Sequence, residues 1–195
     1  MDSFFLVCWR KFFNNSIPSV GTLATCHEKN DHVIANRAVW IDLGYGIFAR
    51  EGYQALKIER LANKMGISKS SFYHHFADRE IFIHALLERH IQQSYVLAEK
   101  ERQAQGIFPD LIDALLAHKT DLLFNRQLRI HRDRPDFDRT LTKTNELVGD
   151  SFVLVWVKDL NLHLNRQQLN AIFQLALENF FLQINPQNLH RNWFG

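Results

Sequence analysis

The stretch GISKSSFYHHFADRE, Gly66 to Glu80, gathers side chains that bind anions and read hydrogen-bond patterns. Three serines, a lysine, a tyrosine and two histidines fall between Ser68 and Phe76, with Phe72 and Phe76 set four residues apart. On a helix the two phenylalanines share one side. Lys69, Ser70, Ser71, Tyr73 and His74 are then left largely on the other. Lys69 and the nearby Arg79 can neutralise phosphates. Ser70 and Ser71 are short donors that let a backbone come close to its target. Tyr73, His74 and His75 offer hydrogen bonds to phosphate oxygens or to base edges.

Such a face acts only if neighbouring elements hold it. The apolar residues Ile58, Leu61, Ala62 and Met65 recur at i, i+3, i+4 and i+7 and predict a short helix before it. Gly66 stands where a left-handed residue closes a helix. Ser68 is a good N-cap for the next helix, and Asp78 for the one after it. Two short helices around a Gly-containing turn describe a helix-turn-helix, whose second helix can lie in a major groove. Trp40, Leu43, Ile47 and Phe48 trace a preceding helix, from about Val33 to Glu51-Gly52. Gly44 and Gly46 weaken that helix by about 1 kcal/mol each relative to Ala, so tertiary packing must hold it.

The charge distribution agrees with this placement. The net charge of the 195 residues is only +2. Basic and acidic residues balance three to three in 1–31 and twelve to twelve in 91–195, but stand eight to six in 32–90. Within Lys57–Arg79 the ratio is five to two, a local basic patch of the kind a phosphate backbone needs. With 46% hydrophobic residues, 4 Pro and 8 Gly, the expectation is an all-α chain with a real core. No apolar run reaches the roughly 18 residues of a membrane span. Cys8 and Cys26 suggest neither a disulfide framework nor a metal site, so a cytoplasmic location is expected. No nucleophile elbow, metal-ligand trio or phosphate loop is present, which excludes an enzyme; no catalytic residue, cofactor or metal is expected. His84 and Glu88, four apart, lack a third ligand and read as a solvated helix face.

The segment IFAREGYQALKIERLANKMGISKSSFYHHFADREIF, Ile47 to Phe82, resembles the DNA-binding domain of the TetR family of bacterial transcription factors. The resemblance implies a phosphate-binding Tyr73, an aromatic or His at 74, His at 75 and a basic residue at Arg79. Family members usually carry Lys at that last position and often Gly where Ser70 stands. The hydroxyl residue frequent at the start of the second helix is replaced here by Lys57 or Leu56, so Lys57 is expected to contact phosphate by charge. The candidate DNA-binding set is therefore Lys57, Ser68, Lys69, Ser70, Ser71, Tyr73, His74, His75 and Arg79.

Three regions are expected: a weakly ordered leader (1–31), a helix-turn-helix DNA-binding domain (32–78) and a helical effector-binding and dimerisation domain (79–195). In the last, Asp78 opens a long helix with Ile83, Leu86, Leu87 and Leu97 inward, reaching about Gln105-Gly106. Pro109 opens another to about Phe124, NRQLRIHRDRPD is a frayed end and loop, and Phe137 to Val155 line one long face. Asn165 caps a final helix that is apolar almost all round and needs cover on two sides. A partner subunit is the natural second cover, giving Leu169, Ile172, Phe173, Ala176, Leu177, Phe180, Phe181 and Ile184 as interface candidates. Arg126, Arg129, His131, Arg132 and Arg134, interleaved with Asp133, Asp136 and Asp138, read as surface ion pairs before an anion site. Phe124, Phe152, Trp156 and Phe173 read as core before cavity.

The function expected is a homodimeric, sequence-specific transcriptional regulator of double-stranded DNA with a near-palindromic operator. Repression, and release by a small-molecule effector, are implied by the resemblance alone. The alternative is a DNA-bound adaptor whose second domain binds a protein partner and no small ligand.

Overall fold

The computed structural model describes residues 37–188. The expected leader, with Cys8 and Cys26, lies outside the described residues. Ala35–Asn185 form one compact unit, all helical among the described residues: α1 Arg37–Glu51, α2 Ile58–Met65, α3 Lys69–Tyr73, α4 Arg79–Gln103, α5 Ile112–Ala117, α6 Lys119–Ile130, α7 Pro135–Asp159 and α8 Arg166–Gln183. A 3-10 turn, Tyr53–Ala55, follows α1, and an irregular turn, Ile107–Leu111, precedes α5.

Helix α1 is buried on two sides, which explains how it tolerates its glycines. Trp40 meets the Phe72 ring edge-on at 5.2 Å. A Cβ on Gly44 would lie 2.9 Å from Phe82 Cε1 and closer still to Cζ, so only glycine lets Phe82 approach. From the other side, Tyr45 stacks on Phe124 at 4.3 Å and Phe48 lies 4.2 Å from the same ring. Gly52 then ends the helix at φ 81°, where a side chain would also run into Gln127.

Local capping sets the next boundaries. Gly66 is left-handed, φ 67°, and the Ile67 N–H reaches back to the Ala62 carbonyl at 3.1 Å. The Asp78 carboxylate accepts from the Ile81 N–H at 2.8 Å and starts α4. Asn165 and Gln168 exchange side-chain and backbone hydrogen bonds of 2.9 and 3.0 Å in a full capping box.

Helix α4 carries Ile83, Leu86, Leu87 and Leu97 on its buried side and packs most extensively against α7. Two expectations for this region need correction. The helix foreseen from Pro109 to Phe124 is two helices, broken at His118, whose backbone leaves the helical region. The segment foreseen as a frayed end is regular through Ile130, because Arg129 is drawn inward to Asn125, Asn145 and Glu178 and lies over the Phe181 ring at 4.5 Å. Phe124 and Phe173 sit in separate aromatic clusters: Phe152 joins Trp156 and Phe173, at 5.1 and 5.4 Å.

Helix α8 is covered on one side only. Phe173, Phe181 and Ile184 are buried against their own chain, Leu169, Ala176, Leu177 and Phe180 are half-buried, and Ile172 is exposed. Its most exposed apolar residues are Leu175 at 73% and Leu182 at 79%. The outward ridge is therefore Ile172, Leu175 and Leu182. Phe173, Phe181 and Ile184 are packed into the chain's own core. No helix among the described residues is long and apolar enough to cross a membrane.

Candidate nucleic-acid interface

Helix α3 has five residues, too few to stand alone. Aromatic packing holds it: Phe72, Phe76 and Phe82 lie 4.9 to 5.3 Å apart ring to ring, all buried. Beyond Tyr73 the chain stays in a turn, with the Phe72 carbonyl accepting from the His75 and Phe76 N–H groups at 2.9 and 3.0 Å. The buried phenylalanines thus fix the opposite side of the segment to solvent.

That opposite side carries the expected residues together. Ser68, Lys69, Ser70, Tyr73 and His74 are exposed, Tyr73 at 54%, while Ser71 and His75 are half-buried. Lys57 is exposed at the N-cap of α2. Ser68 occupies the N-cap position of α3 but makes no side-chain cap; its hydroxyl pairs with that of Ser70 at 2.7 Å. Lys69 forms an ion pair with Glu59 of α2, whose hydrogen bond raises the lysine pKa and lowers that of the carboxyl. Both groups are fully exposed, and such a pair exchanges readily for another anion.

Arg79 departs from the simple expectation of a solvent-directed cation. It is half-buried, its Nη2 donates to the Tyr53 carbonyl at 2.8 Å, and its guanidinium lies 4.2 Å from the Tyr53 ring centre. Tyr53 was missed by periodicity, having a neighbouring glycine and no helix of its own. It packs edge-on to Phe137 of α7 at 5.8 Å and to His131 at 6.3 Å. Of the Arg cluster expected as surface ion pairs, Arg132 meets Asp138 and Arg134 meets both Asp136 and Glu80, whereas Arg129 turns inward to Glu178 and Arg126 keeps its Nε buried without a partner. His84 and Glu88 form an exposed pair at 3.4 Å.

A second polar chain crosses from α1 into the core. The Tyr45 hydroxyl donates to Asp121 Oδ1 at 2.6 Å, so His90 Nδ1, 2.8 Å away, must carry the proton it gives to Tyr45. His118 Nδ1 meets the other Asp121 oxygen at 2.8 Å. His90 Nε2 is left buried without a partner, and burial pushes its pKa down to about 4. Glu101 on α4 is fully buried with neither oxygen bonded, and burial pushes its carboxyl up to about 9. No sequence signal marked either group.

A short helix anchored by buried aromatics, presented after a left-handed glycine and bearing an exposed cationic and hydroxylic face, defines a helix-turn-helix DNA-binding head. Residues 41–86 match the family described as bacterial regulatory proteins, tetR family. The chain is 30% identical over 111 residues to the HTH-type transcriptional repressor Rv1474c of Mycobacterium tuberculosis (strain ATCC 25618 / H37Rv). That match covers 56% of this chain and 58% of the repressor's length. The similarity to the tetR family thus lies in this head, residues 41–86, and the chain spans somewhat over half the length of the curated relative it matches.

Proposed function

We propose that the chain is a homodimeric, sequence-specific transcriptional repressor that leaves its operator when a small-molecule effector binds the second domain. The observation that carries the DNA-binding part is the exposed face of α3, fastened from beneath by Phe72, Phe76 and Phe82. Lys57, Lys69, Tyr73 and Arg79 supply phosphate contacts, while Ser70, Ser71 and the histidines meet base edges. Repression is supported by the name of the related mycobacterial protein. Dimerisation is supported by the apolar ridge Ile172, Leu175 and Leu182 on α8, which a second copy covers. In a dimer, two α3 helices about 34–36 Å apart read successive turns of a near-palindrome.

Selection of bound duplexes from a random pool, at defined salt, tests this reading. Enrichment of a near-palindrome is the expected result. Binding without enrichment that vanishes as salt rises refutes sequence reading. The adaptor reading shares the apolar ridge but assigns it to a different protein; sedimentation of the purified chain as a monomer favours the adaptor.

A further inference from the structure

Among the side chains that reach from the later helices to Tyr53 and Glu80 is Arg134, which stands at the N-cap of α7. Asp136 holds its guanidinium by two bonds, Nε to Oδ1 at 3.2 Å and Nη2 to Oδ2 at 3.0 Å, and the Phe137 ring lies 4.7 Å from it. From this fixed base Arg134 lies over the Tyr53 ring at 4.7 Å and makes two hydrogen bonds toward Arg79. Its Nη1 donates to the Tyr53 hydroxyl at 2.9 Å, and its Nη2 to Glu80 Oε2 at 2.7 Å. The Tyr53 hydroxyl in turn donates to Glu80 Oε1 at 3.3 Å. Both targets touch Arg79: Tyr53 through its carbonyl and ring, Glu80 as the next residue along α4.

We propose that Arg134 is a positioning residue for DNA binding, acting at a distance from the nucleic acid by setting the guanidinium of Arg79 through Tyr53. The inference rests on the DNA-binding reading above. Arg79 is half-buried at the very start of α4, with Nε buried and unpartnered and Nη2 committed to Tyr53. Nη1 is the end of the guanidinium that makes no hydrogen bond within the described residues, and it is the end left for a phosphate. A planar guanidinium bonds an anion well only in the right orientation. That orientation is set by Tyr53, whose own place depends on Arg134. Arg134 itself spends its three nitrogens on Asp136, Tyr53 and Glu80, which distinguishes it from a direct phosphate contact.

The test is a double-mutant cycle on the full chain, using the duplex recovered by the selection above and titrating over a range of salt. Arg79→Gln is expected to weaken binding about tenfold and to reduce the salt slope by about one. Arg134→Gln is expected to do the same, although it removes no phosphate ligand. The double variant is expected to be no worse than either single one. Arg134→Lys keeps the charge but loses the forked geometry, and is not expected to rescue. Tyr53→Phe, which leaves the ring under Arg79 and removes only the hydroxyl, gives a smaller loss in the same direction and guards against a variant that fails to fold. Thermal unfolding of each variant confirms the folded state. Additive losses, with a slope reduced by about two in the double variant, would make Arg134 a direct contact and overturn the proposal. Unchanged affinity in Arg134→Gln would overturn it as well. A parent chain that selects no duplex refutes the DNA-binding reading itself, an outcome distinct from either.

Discussion

Replacing Glu101 by Gln should stabilise the protein, and by an amount that grows with pH. In the folded chain this carboxyl is fully buried, with neither oxygen hydrogen-bonded, and it holds its proton up to about pH 9. Burial is the main cause, and the charge of Arg102 opposes it only in part. Unfolded, the group titrates near its ordinary value of 4.5. Because the folded pKa is the higher one, this residue's stability contribution is fully present below pH 4.5. It is lost as pH rises toward about 9, at about 1.4 kcal/mol per unit. Between pH 5 and pH 8 the loss is about 4 kcal/mol, a large part of the 5–15 kcal/mol that holds a typical domain together. Glutamine has nearly the same shape and no such titration. Urea unfolding of the parent and Glu101→Gln at both pH values, at one protomer concentration, measures the difference. His90 contributes equally to both proteins and cancels. The expected result is a stability gap wider by about 4 kcal/mol at pH 8 than at pH 5. A gap independent of pH would show that the carboxyl is ionised and compensated in the fold, and the reasoning would fail.

Other perturbations test other parts of the structure. His90 has the opposite sign: its folded pKa of about 4 lies below the ordinary 6.5, so stability falls as pH drops through that window. In a Glu101→Gln background the loss is about 3 kcal/mol, and His90→Asn should flatten it in pH-dependent unfolding curves. Gly44→Ala gains about 1 kcal/mol of helix propensity but forces Phe82 aside, an overpacking cost of about 1–3 kcal/mol. The expected net is destabilisation in urea melts, and a stabilised variant would contradict the close approach. Leu175→Asp with Leu182→Asp should sediment as a monomer with unchanged helicity, whereas a dimer would place the interface elsewhere. Tyr73→Phe should weaken binding to every duplex alike, while Ser71→Ala should change which sequences are selected, as the same binding assay reveals.

Features governed by local hydrogen bonding were legible in the sequence. Gly66, Asp78 and Asn165 stop or start helices because their own backbone or side chain satisfies groups within a few residues. Phe72 and Phe76 were legible for a similar reason, a four-residue spacing that leaves no doubt about sides. Features decided by distant partners were not. The break at His118 coincides with a side chain turned to Asp121, while the regular end of α6 depends on Glu178, forty-nine residues from Arg129. On α8, apolar residues occupy every side, so periodicity had no means of choosing between Phe181 inward and Leu182 outward. Arg79 was correctly marked as cationic, but its engagement with Tyr53 spans 26 residues and has no pattern in the sequence.

The two-sided burial of α1 bears on how such heads can be exchanged. A graft that ends at Phe82 would bring its own Trp40, Gly44, Phe72 and Phe82, and so would keep the exposed face of α3 fastened from beneath. It would also bring Tyr45, Phe48 and Tyr53, which are shaped to Asp121, Phe124 and Phe137 of a recipient scaffold. Without those partners a buried hydroxyl would lose its acceptor and two aromatic rings their seats. Chimeras built from this chain will therefore need the matching residues of α6 and the start of α7 transferred with the head. The reading module is keyed to its own socket.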